Sequence, residues 1–186
     1  TNIIVCCDGA ADKLSEIDIE PNIIIGDMDS LSSKNNFSSN VKIIFQDNQN
    51  ENDLRKSLYW IKENYNNDVI IIGATGKRED HSLSNIFTIC QMKINLNMKI
   101  VTDYGIFIPV RNKITINTFI NQKISFFAPH NKTKITANGL KYPLKRKCLN
   151  TLYDGSLNIS IANKINIEIE NGTAIIFLTH KDIDNV

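Results

Sequence analysis

The spacing of apolar residues changes near Lys113 and divides the chain into two kinds of structure. Before this point, short β-branched runs such as Ile23–Ile25 alternate with segments of helical spacing, which is typical of a parallel α/β sheet. After it, apolar residues recur at every second position, as in Ile165–Ile169, which predicts antiparallel strands. The sequence therefore predicts α/β followed by all-β. We expect a Rossmann-like parallel α/β domain over residues 1–110 and an antiparallel β-sandwich over residues 113–186.

The charge and composition exclude several classes of partner. The 186 residues carry 21 Lys and Arg against 20 Asp and Glu, a net charge of +1, which gives no broad electrostatic case for nucleic acid or an anionic membrane. No apolar run approaches the roughly 20 residues that span a bilayer, and the first residues lack a signal-peptide pattern. The four cysteines lack metal or redox spacing and are interpreted as buried thiols. The expected location is cytoplasmic.

The segment Gly26–Ser30 follows the apolar run Ile23–Ile25, so it lies where a parallel sheet gathers its ligands. Asp27 and Asp29, one residue apart on a loop, can turn two carboxylates toward one point. Mg²⁺ prefers one or two carboxylates together with substrate phosphates, so the pair indicates a metal–phosphate site. The alternative is that this segment only caps a helix starting near Ser30, and the residues alone leave both open.

Two more acidic residues occupy similar places. Asp8 and Gly9 end the first apolar strand and precede a helical segment, which suits a loop over phosphates as well as an ordinary turn. Asp53 lies in the first turn of a predicted helix for which Asn52 or Asn50 is the expected N-cap. It either favours the helix dipole or supplies another carboxylate at the ligand edge of the sheet.

The apolar strand Val69–Ile72 is followed by the glycine-containing loop Gly73–His81. Its small residues allow close backbone approach, and Lys77 and Arg78 supply cations that grip phosphate oxygens. The spacing excludes a Walker A loop. A helix is predicted to start at His81 with Leu83 and Ile94 on its apolar face. His81 is either a structural residue or a hydrogen-bonding ligand group.

Taken together, these motifs resemble the thiamine pyrophosphokinase family over nearly the whole chain. The matching segments, in order, are Asp8–Ala11, Pro21–Ser30, Asn52–Asp53 with Lys56 and Leu58, Gly73–His81 with Asn85, and Gly139–Leu144. Ala10, Asn52 and Lys77 depart from the family pattern. Leu157 stands between Ser156 and Asn158, where the family has an adjacent Ser-Asn pair.

The resemblance implies transfer of the diphosphoryl group of ATP to the thiamine hydroxyl, releasing AMP, with Mg²⁺ as cofactor. It implies that Asp27 and Asp29 hold the metal, with Asp8 and Asp53 completing an acidic ring, and that Asp53 is the favoured general base. Arg78 neutralises phosphate charge. The substrate- and nucleotide-binding residues implied in the same way are Asp8, Gly9, Ser30, Gly76, Lys77, Arg78, Asp80, His81, Asn85, Ser156 and Asn158. The family is a homodimer with active sites at the subunit interface.

Three other functions compete with this interpretation. A related pyrophosphokinase acting on a pterin alcohol would use a similar acidic ring, but the Gly139–Leu144 segment favours thiamine. A sugar-nucleotide transferase would use the Asp-x-Asp pair but does not predict the loop Gly73–His81. A non-catalytic module that binds thiamine diphosphate would bind ligand without turnover.

Overall fold

The computed structural model describes residues 2–31, 37–65, 68–92, 94 and 96–181. The chain forms two compact units, Thr1–Asn66 (unit 1) and Asn67–Val186 (unit 2), and each is described by itself.

Unit 1 is a parallel sheet with two helices. Its elements are β1 (Val5–Cys7), α1 (Asp8–Ser15), β2 (Ile23–Gly26), β3 (Lys42–Phe45) and α2 (Asp53–Asn64). The strands pair in parallel in the order β1-β2-β3, and β2 is buried along its whole length. Both helices pack against β1 and β2. The β-branched residues of β2 occupy the centre of the sheet because a central parallel strand is covered on both faces.

The start of α2 agrees with the prediction from the sequence. The Asn52 side chain accepts a hydrogen bond from the backbone N–H of Arg55 at 3.0 Å, as an N-cap residue does. Leu58 of this helix is 1% exposed and anchors it to the unit. The cap fixes where the helix begins, and therefore fixes Asp53 in its first turn.

The described residues of unit 2 form the remaining strands and one helix. The elements are β4 (Val69–Ile72), α3 (Glu79–Gln91), β5 (Met98–Val101), β6 (Gly105–Val110), β7 (Lys113–Asn117), β8 (Lys123–Phe127), β9 (Lys134–Asn138), β10 (Leu144–Cys148), β11 (Asn158–Ile159), β12 (Lys164–Glu170) and β13 (Ala174–Thr179). One sheet has the order β11-β8-β13-β6-β5-β4, in which only β4 and β5 pair in parallel. The other has the antiparallel order β10-β9-β12-β7.

The two sheets share an apolar core. In β12, residues Ile165, Ile167 and Ile169 are buried, and the residues between them face away from the core. Phe126 and Ile176 of the six-stranded sheet belong to the same buried cluster. The predicted fold class, α/β followed by antiparallel β, is confirmed. The boundary at residues 110–113 stays a prediction: β6, which precedes it, pairs with β13, which follows it, within one sheet.

Helix α3 differs from the prediction at both ends. It begins at Glu79 rather than His81, so that Glu79 and Asp80 lie in the first turn, where the helix dipole favours negative charge. It ends at Gln91, so Ile94 is buried but lies outside the helix. Leu83, predicted on the apolar face, is 57% exposed.

Arg111 lies at the C-terminal end of α3. Its Nη2 donates to the backbone carbonyls of Ile89 at 3.3 Å and Met92 at 2.5 Å. A guanidinium satisfies helix-end carbonyls that have no intrahelical partner and complements the negative end of the helix dipole. Arg111 directly follows β6 in the chain, so these hydrogen bonds fix the end of α3 against β6.

Strand β10 lies at an edge of the four-stranded sheet. Its pairing with β9 is irregular between Leu144 and Lys147, and Arg146 has a positive φ of 48°. Lys145, Arg146 and Lys147 are all exposed. Within the described ranges, no helix is long and apolar enough to cross a membrane.

Candidate active site

Three carboxylates of unit 1 meet at one edge of the parallel sheet. Asp8 directly follows β1, and Asp27 and Asp29 follow β2. One oxygen from each lies within 4.8 Å of the other two. The carboxyl ends of neighbouring parallel strands point to the same edge, which explains the convergence. Residues 28–31 form bends and Met28 has a positive φ of 63°, so Asp27 and Asp29 lie on a turn rather than in a first helical turn.

Asp8 is the buried member of this acidic cluster (Asp8, Asp27 and Asp29). It is 2% exposed, and its Oδ1 accepts a hydrogen bond from the backbone N–H of Gly9. Its Oδ2 is buried and has no hydrogen-bond partner among the described residues. Burial raises the pKa of Asp8, and the charges of Asp53 and Asp27 add to the effect. A buried, unpaired carboxylate oxygen facing two other carboxylates suits a cation ligand.

Gly26 makes room for this carboxyl group. A Cβ at residue 26 would lie 2.8 Å from Cγ of Asp8 and 3.0 Å from its Oδ2. These distances are shorter than carbon–carbon and carbon–oxygen contacts in folded proteins. The glycine at the end of β2 is therefore required by the position of Asp8 on the neighbouring strand.

Hydrogen bonds orient the two other carboxylates. Nε2 of Gln49 donates to Oδ2 of Asp27 at 3.0 Å, and the backbone N–H of Asp29 approaches Oδ1 of Asp27 at 3.5 Å. Partial desolvation acts in the opposite direction, but these donors hold the pKa of Asp27 below its usual value. Oγ of Ser30 donates to Oδ1 of Asp29 at 2.8 Å.

Asp53 is paired with a buried lysine. Nζ of Lys56 lies 3.0 Å from Oδ1 of Asp53, and the Lys56 side chain is 3% exposed. Desolvation opposes the charged form of Lys56, but the bond to Asp53 and the charges of Asp27 and Asp8 raise its pKa. Asp53 is not one of the three residues whose oxygens converge. The electrostatic effects on Asp8 and Lys56 place it beside the acidic cluster.

The glycine-containing loop of unit 2 is held by the helix that follows it. Gly73 and Gly76 have positive φ values of 73° and 94°, which L-residues with side chains rarely adopt. Nδ2 of Asn85 in α3 donates to the carbonyl of Ala74 at 3.0 Å. Asn85 thus fixes the loop at Ala74, while Gly73, Gly76 and Lys77 are exposed.

Arg78 and Asp80 form a two-pronged ion pair on the surface. Nε and Nη2 of Arg78 donate to the two oxygens of Asp80 at 3.1 and 2.6 Å. The backbone N–H of His81 donates to Oδ1 of Asp80 at 2.9 Å. The hydrogen bonds from Arg78 come first among the causes that lower the pKa of Asp80. The Arg78 side chain is 74% exposed, so the rest of its guanidinium faces solvent.

Ser156 and Asn158 lie just before and at the start of β11 in unit 2. Oγ of Ser156 donates to the carbonyl of Tyr153 at 2.8 Å. Asn158 is 4% exposed: its amide donates to the carbonyl of Tyr142 at 2.7 Å and its Oδ1 accepts from the N–H of Tyr142 at 3.1 Å. Asn158 therefore clamps the predicted Gly139–Leu144 segment, while Leu157 is 77% exposed. The substrate-binding roles predicted for Ser156 and Asn158 stay predictions.

Gln49 and Lys56 were not predicted from the sequence to have a role at the site. Lys56 carried a usable signal, since it follows Asp53 by three residues in a predicted helix and so faces the same side. Gln49 lies in a polar segment without periodicity, and nothing in the sequence indicates that it contacts Asp27.

Carboxylates that converge at the carboxyl ends of parallel strands are typical of enzymes that transfer phosphate-containing groups. Two family models cover most of the chain: "Thiamin pyrophosphokinase, catalytic domain" matches residues 1–102, and "Thiamin pyrophosphokinase, substrate-binding domain" matches residues 105–177. The chain belongs to the thiamin pyrophosphokinase family, and its activity is that of a thiamine pyrophosphokinase. Family membership implies ATP as co-substrate.

Solved structures with this fold are similar along nearly the whole chain. Thiamine pyrophosphokinase from Bacillus subtilis has 20% identity and a TM-score of 0.77, with 96% of this chain and 88% of that chain covered. The Candida albicans enzyme has 20% identity and a TM-score of 0.79, with 96% and 82% covered. A probable thiamine pyrophosphokinase from Staphylococcus saprophyticus has 25% identity and a TM-score of 0.67, with 97% and 89% covered. No curated protein sequence matches the chain.

Proposed function

We propose that the chain transfers the intact diphosphoryl group of ATP to the hydroxyl of thiamine and releases AMP. The observation that carries the proposal is the convergence of oxygens from Asp8, Asp27 and Asp29 within 4.8 Å, one of them on a buried residue. A polyphosphate donor brings several negative charges, so a cation is required where it meets carboxylates. The acidic cluster suits that requirement better than it suits binding of the cationic thiamine ring alone.

The proposed cofactor is Mg²⁺, held by Asp8, Asp27 and Asp29 with Asp53 beside them. Their donor set consists of carboxylate oxygens, which hard divalent cations prefer, and the unpartnered Oδ2 of Asp8 fits a ligand. When bound, the ion neutralises charge on phosphate oxygens. Gln49 and Ser30 keep Asp27 and Asp29 oriented through the hydrogen bonds described above.

The proposed nucleotide contacts come from two loops. The backbone N–H of Gly9 and the hydroxyl of Ser30 lie at the acidic cluster. In unit 2, Gly76 and Lys77 of the glycine-containing loop are proposed to contact the nucleotide, and Asn85 fixes that loop. The solvent-facing part of the Arg78 guanidinium is proposed to bind phosphate oxygens. Asp80 keeps the Arg78 guanidinium and the first turn of α3 in place, with His81 adjoining. Asp53 is proposed to accept the proton of the thiamine hydroxyl.

The proposed organisation follows the family. Residues 1–110 form the catalytic domain, and residues 113–186 form a domain that binds thiamine and contributes to a homodimer with active sites at the subunit interface. Ser156 and Asn158 are proposed to belong to the thiamine side. The proposed location is cytoplasmic.

The test is AMP release from ATP and Mg²⁺, measured with and without thiamine. Thiamine-dependent AMP without ADP is the expected result. AMP release that depends on a pterin alcohol instead would assign the related pyrophosphokinase activity. Binding of thiamine diphosphate without any turnover would assign the binding module.

The metal assignment predicts that Asp27→Asn and Asp29→Asn each reduce turnover to near background while the fold stays intact. The amide preserves the shape of the side chain but removes the charge that a divalent cation needs. Asp18→Asn is the matched control, since Asp18 is an exposed aspartate of the same unit. Steady-state AMP release and circular dichroism are the measurements. Activity close to that of the control in either variant contradicts the assignment.

A further inference from the structure

Lys56 places a positive charge beside the acidic cluster. Its side chain is 3% exposed, and its Nζ is 3.0 Å from Oδ1 of Asp53. A buried ammonium is costly unless a carboxylate pairs with it, so the ion pair with Asp53 holds Lys56 in its charged form.

Contacts of three neighbouring residues fix the first turns of α2, which carry Lys56. Asn52 caps the helix, Ser57 lies next to Lys56 and its Oγ is 3.6 Å from Sγ of Cys7, and Leu58 is buried. The backbone of residue 56 therefore cannot move away from β1 without breaking these contacts. The charge of Lys56 acts on the acidic cluster from a fixed place.

A fixed cation has opposite effects on two kinds of ligand. It repels a bare divalent cation, because like charges in a partly buried site repel each other. It attracts a divalent cation that arrives with a polyphosphate, because that complex carries net negative charge. The acidic cluster by itself would have the opposite preference and would bind the bare cation more tightly.

We propose that Lys56 is a specificity-determining residue that makes the acidic cluster favour the metal–polyphosphate complex over the bare metal ion. The inference rests on the proposed function, in which the cluster holds the cation. Lys56 keeps the site from being filled by metal alone, and it contributes to binding only when the phosphate donor is present.

A purely structural role for Lys56 makes a different prediction. If the ion pair with Asp53 only stabilised α2, its loss would loosen the acidic cluster. The affinities for the bare metal ion and for the metal–polyphosphate complex would then both fall. The charge role predicts changes of opposite sign. The two explanations are therefore separated by measuring bare-metal affinity and nucleotide use in the same variant.

The experiment compares the full chain with Lys56→Met, Lys56→Arg and Lys62→Met. Lys62 is exposed in the same helix and is the matched control. Binding of Mn²⁺ without nucleotide is measured by electron paramagnetic resonance of the free ion, and KM for Mg-ATP by thiamine-dependent AMP release. Lys56→Met is expected to bind Mn²⁺ about tenfold more tightly and to raise KM for Mg-ATP about tenfold. Lys56→Arg and Lys62→Met are expected to stay close to the wild type.

Weaker or unchanged Mn²⁺ binding in Lys56→Met overturns the proposal. The wild-type chain gives an independent measurement if that variant does not fold: Mn²⁺ with a non-hydrolysable ATP analogue should bind at least about tenfold more tightly than Mn²⁺ alone. Equal affinities overturn the proposal. Asp27→Asn tests the proposed function separately. Unchanged Mn²⁺ binding in this variant would contradict the metal site itself. Weaker Mn²⁺ binding would support the metal site, and the Lys56 variants then test only the role of Lys56.

Discussion

Replacing Gly26 by alanine adds one methyl group at the point where β2 passes the carboxyl group of Asp8. The new Cβ would lie 2.8 Å from Cγ, 2.9 Å from Cβ and 3.0 Å from Oδ2 of Asp8. Ordinary van der Waals contacts begin at 3.4 Å, so the new Cβ and Cγ of Asp8 must separate by about 0.6 Å. Asp8 is 2% exposed, and β1, which it directly follows, pairs with β2, so neither side moves freely.

The clash has one cost in stability and another in activity. Overpacking a filled site typically costs about 1–3 kcal/mol, so Gly26→Ala is expected to lower the free energy of unfolding by about 2 kcal/mol. A displacement approaching 1 Å in a reacting group lowers rates by up to about 100-fold. We therefore expect kcat/KM for AMP release to fall by about 10- to 100-fold while the fold remains.

Urea unfolding and steady-state AMP release measure the two effects. A double-mutant cycle with Asp8→Gly isolates the contact, because that change removes every Asp8 atom that the new methyl group would meet. In the Asp8→Gly background, Gly26→Ala is expected to cost little further stability. Wild-type activity in Gly26→Ala, or the same loss of stability in both backgrounds, would refute the reasoning.

Three further predictions concern other parts of the chain. Arg111→Met removes the hydrogen bonds to the end of α3 and should cost about 1.5–3 kcal/mol in urea unfolding, whereas an unchanged midpoint would contradict the capping role. Asn158→Ala unclamps the backbone of Tyr142 and should cost about 2–3 kcal/mol, while lost activity at full stability would indicate a direct substrate contact instead. Burial raises the pKa of Cys6 to about 12 and that of Cys90 to about 11, so at pH 8 the reactive thiolate is scarce and both should resist a disulfide reagent until the chain unfolds; rapid labelling of the folded chain would contradict this.

Much of the fold was predictable because local patterns and tertiary packing agree. The alternation Ile165, Ile167 and Ile169 appears as the buried face of β12, and Asn52 caps α2 as its sequence position indicates. The grouping of Asp8 with Asp27 was implied only by the family resemblance; the structure explains it, since the two residues directly follow neighbouring strands of a parallel sheet.

The parts that the sequence did not predict depend on contacts between distant residues. The bond between Gln49 and Asp27 joins residues 22 positions apart, and no local pattern encodes it. Asn158 was predicted to bind substrate, but its burial and its amide bonds to Tyr142 depend on two strands meeting. The early start of α3 at Glu79 reflects charge at a helix end, which overrode the apolar spacing used to place it.

Strand β10 has a consequence for how this chain behaves at high concentration. An unpaired strand edge offers free backbone groups to the edge of another molecule and so promotes aggregation. The irregular pairing between Leu144 and Lys147 and the consecutive cations Lys145, Arg146 and Lys147 make this edge a poor template for a further strand. This protection matters in concentrated protein solutions, where strand edges of different copies meet often.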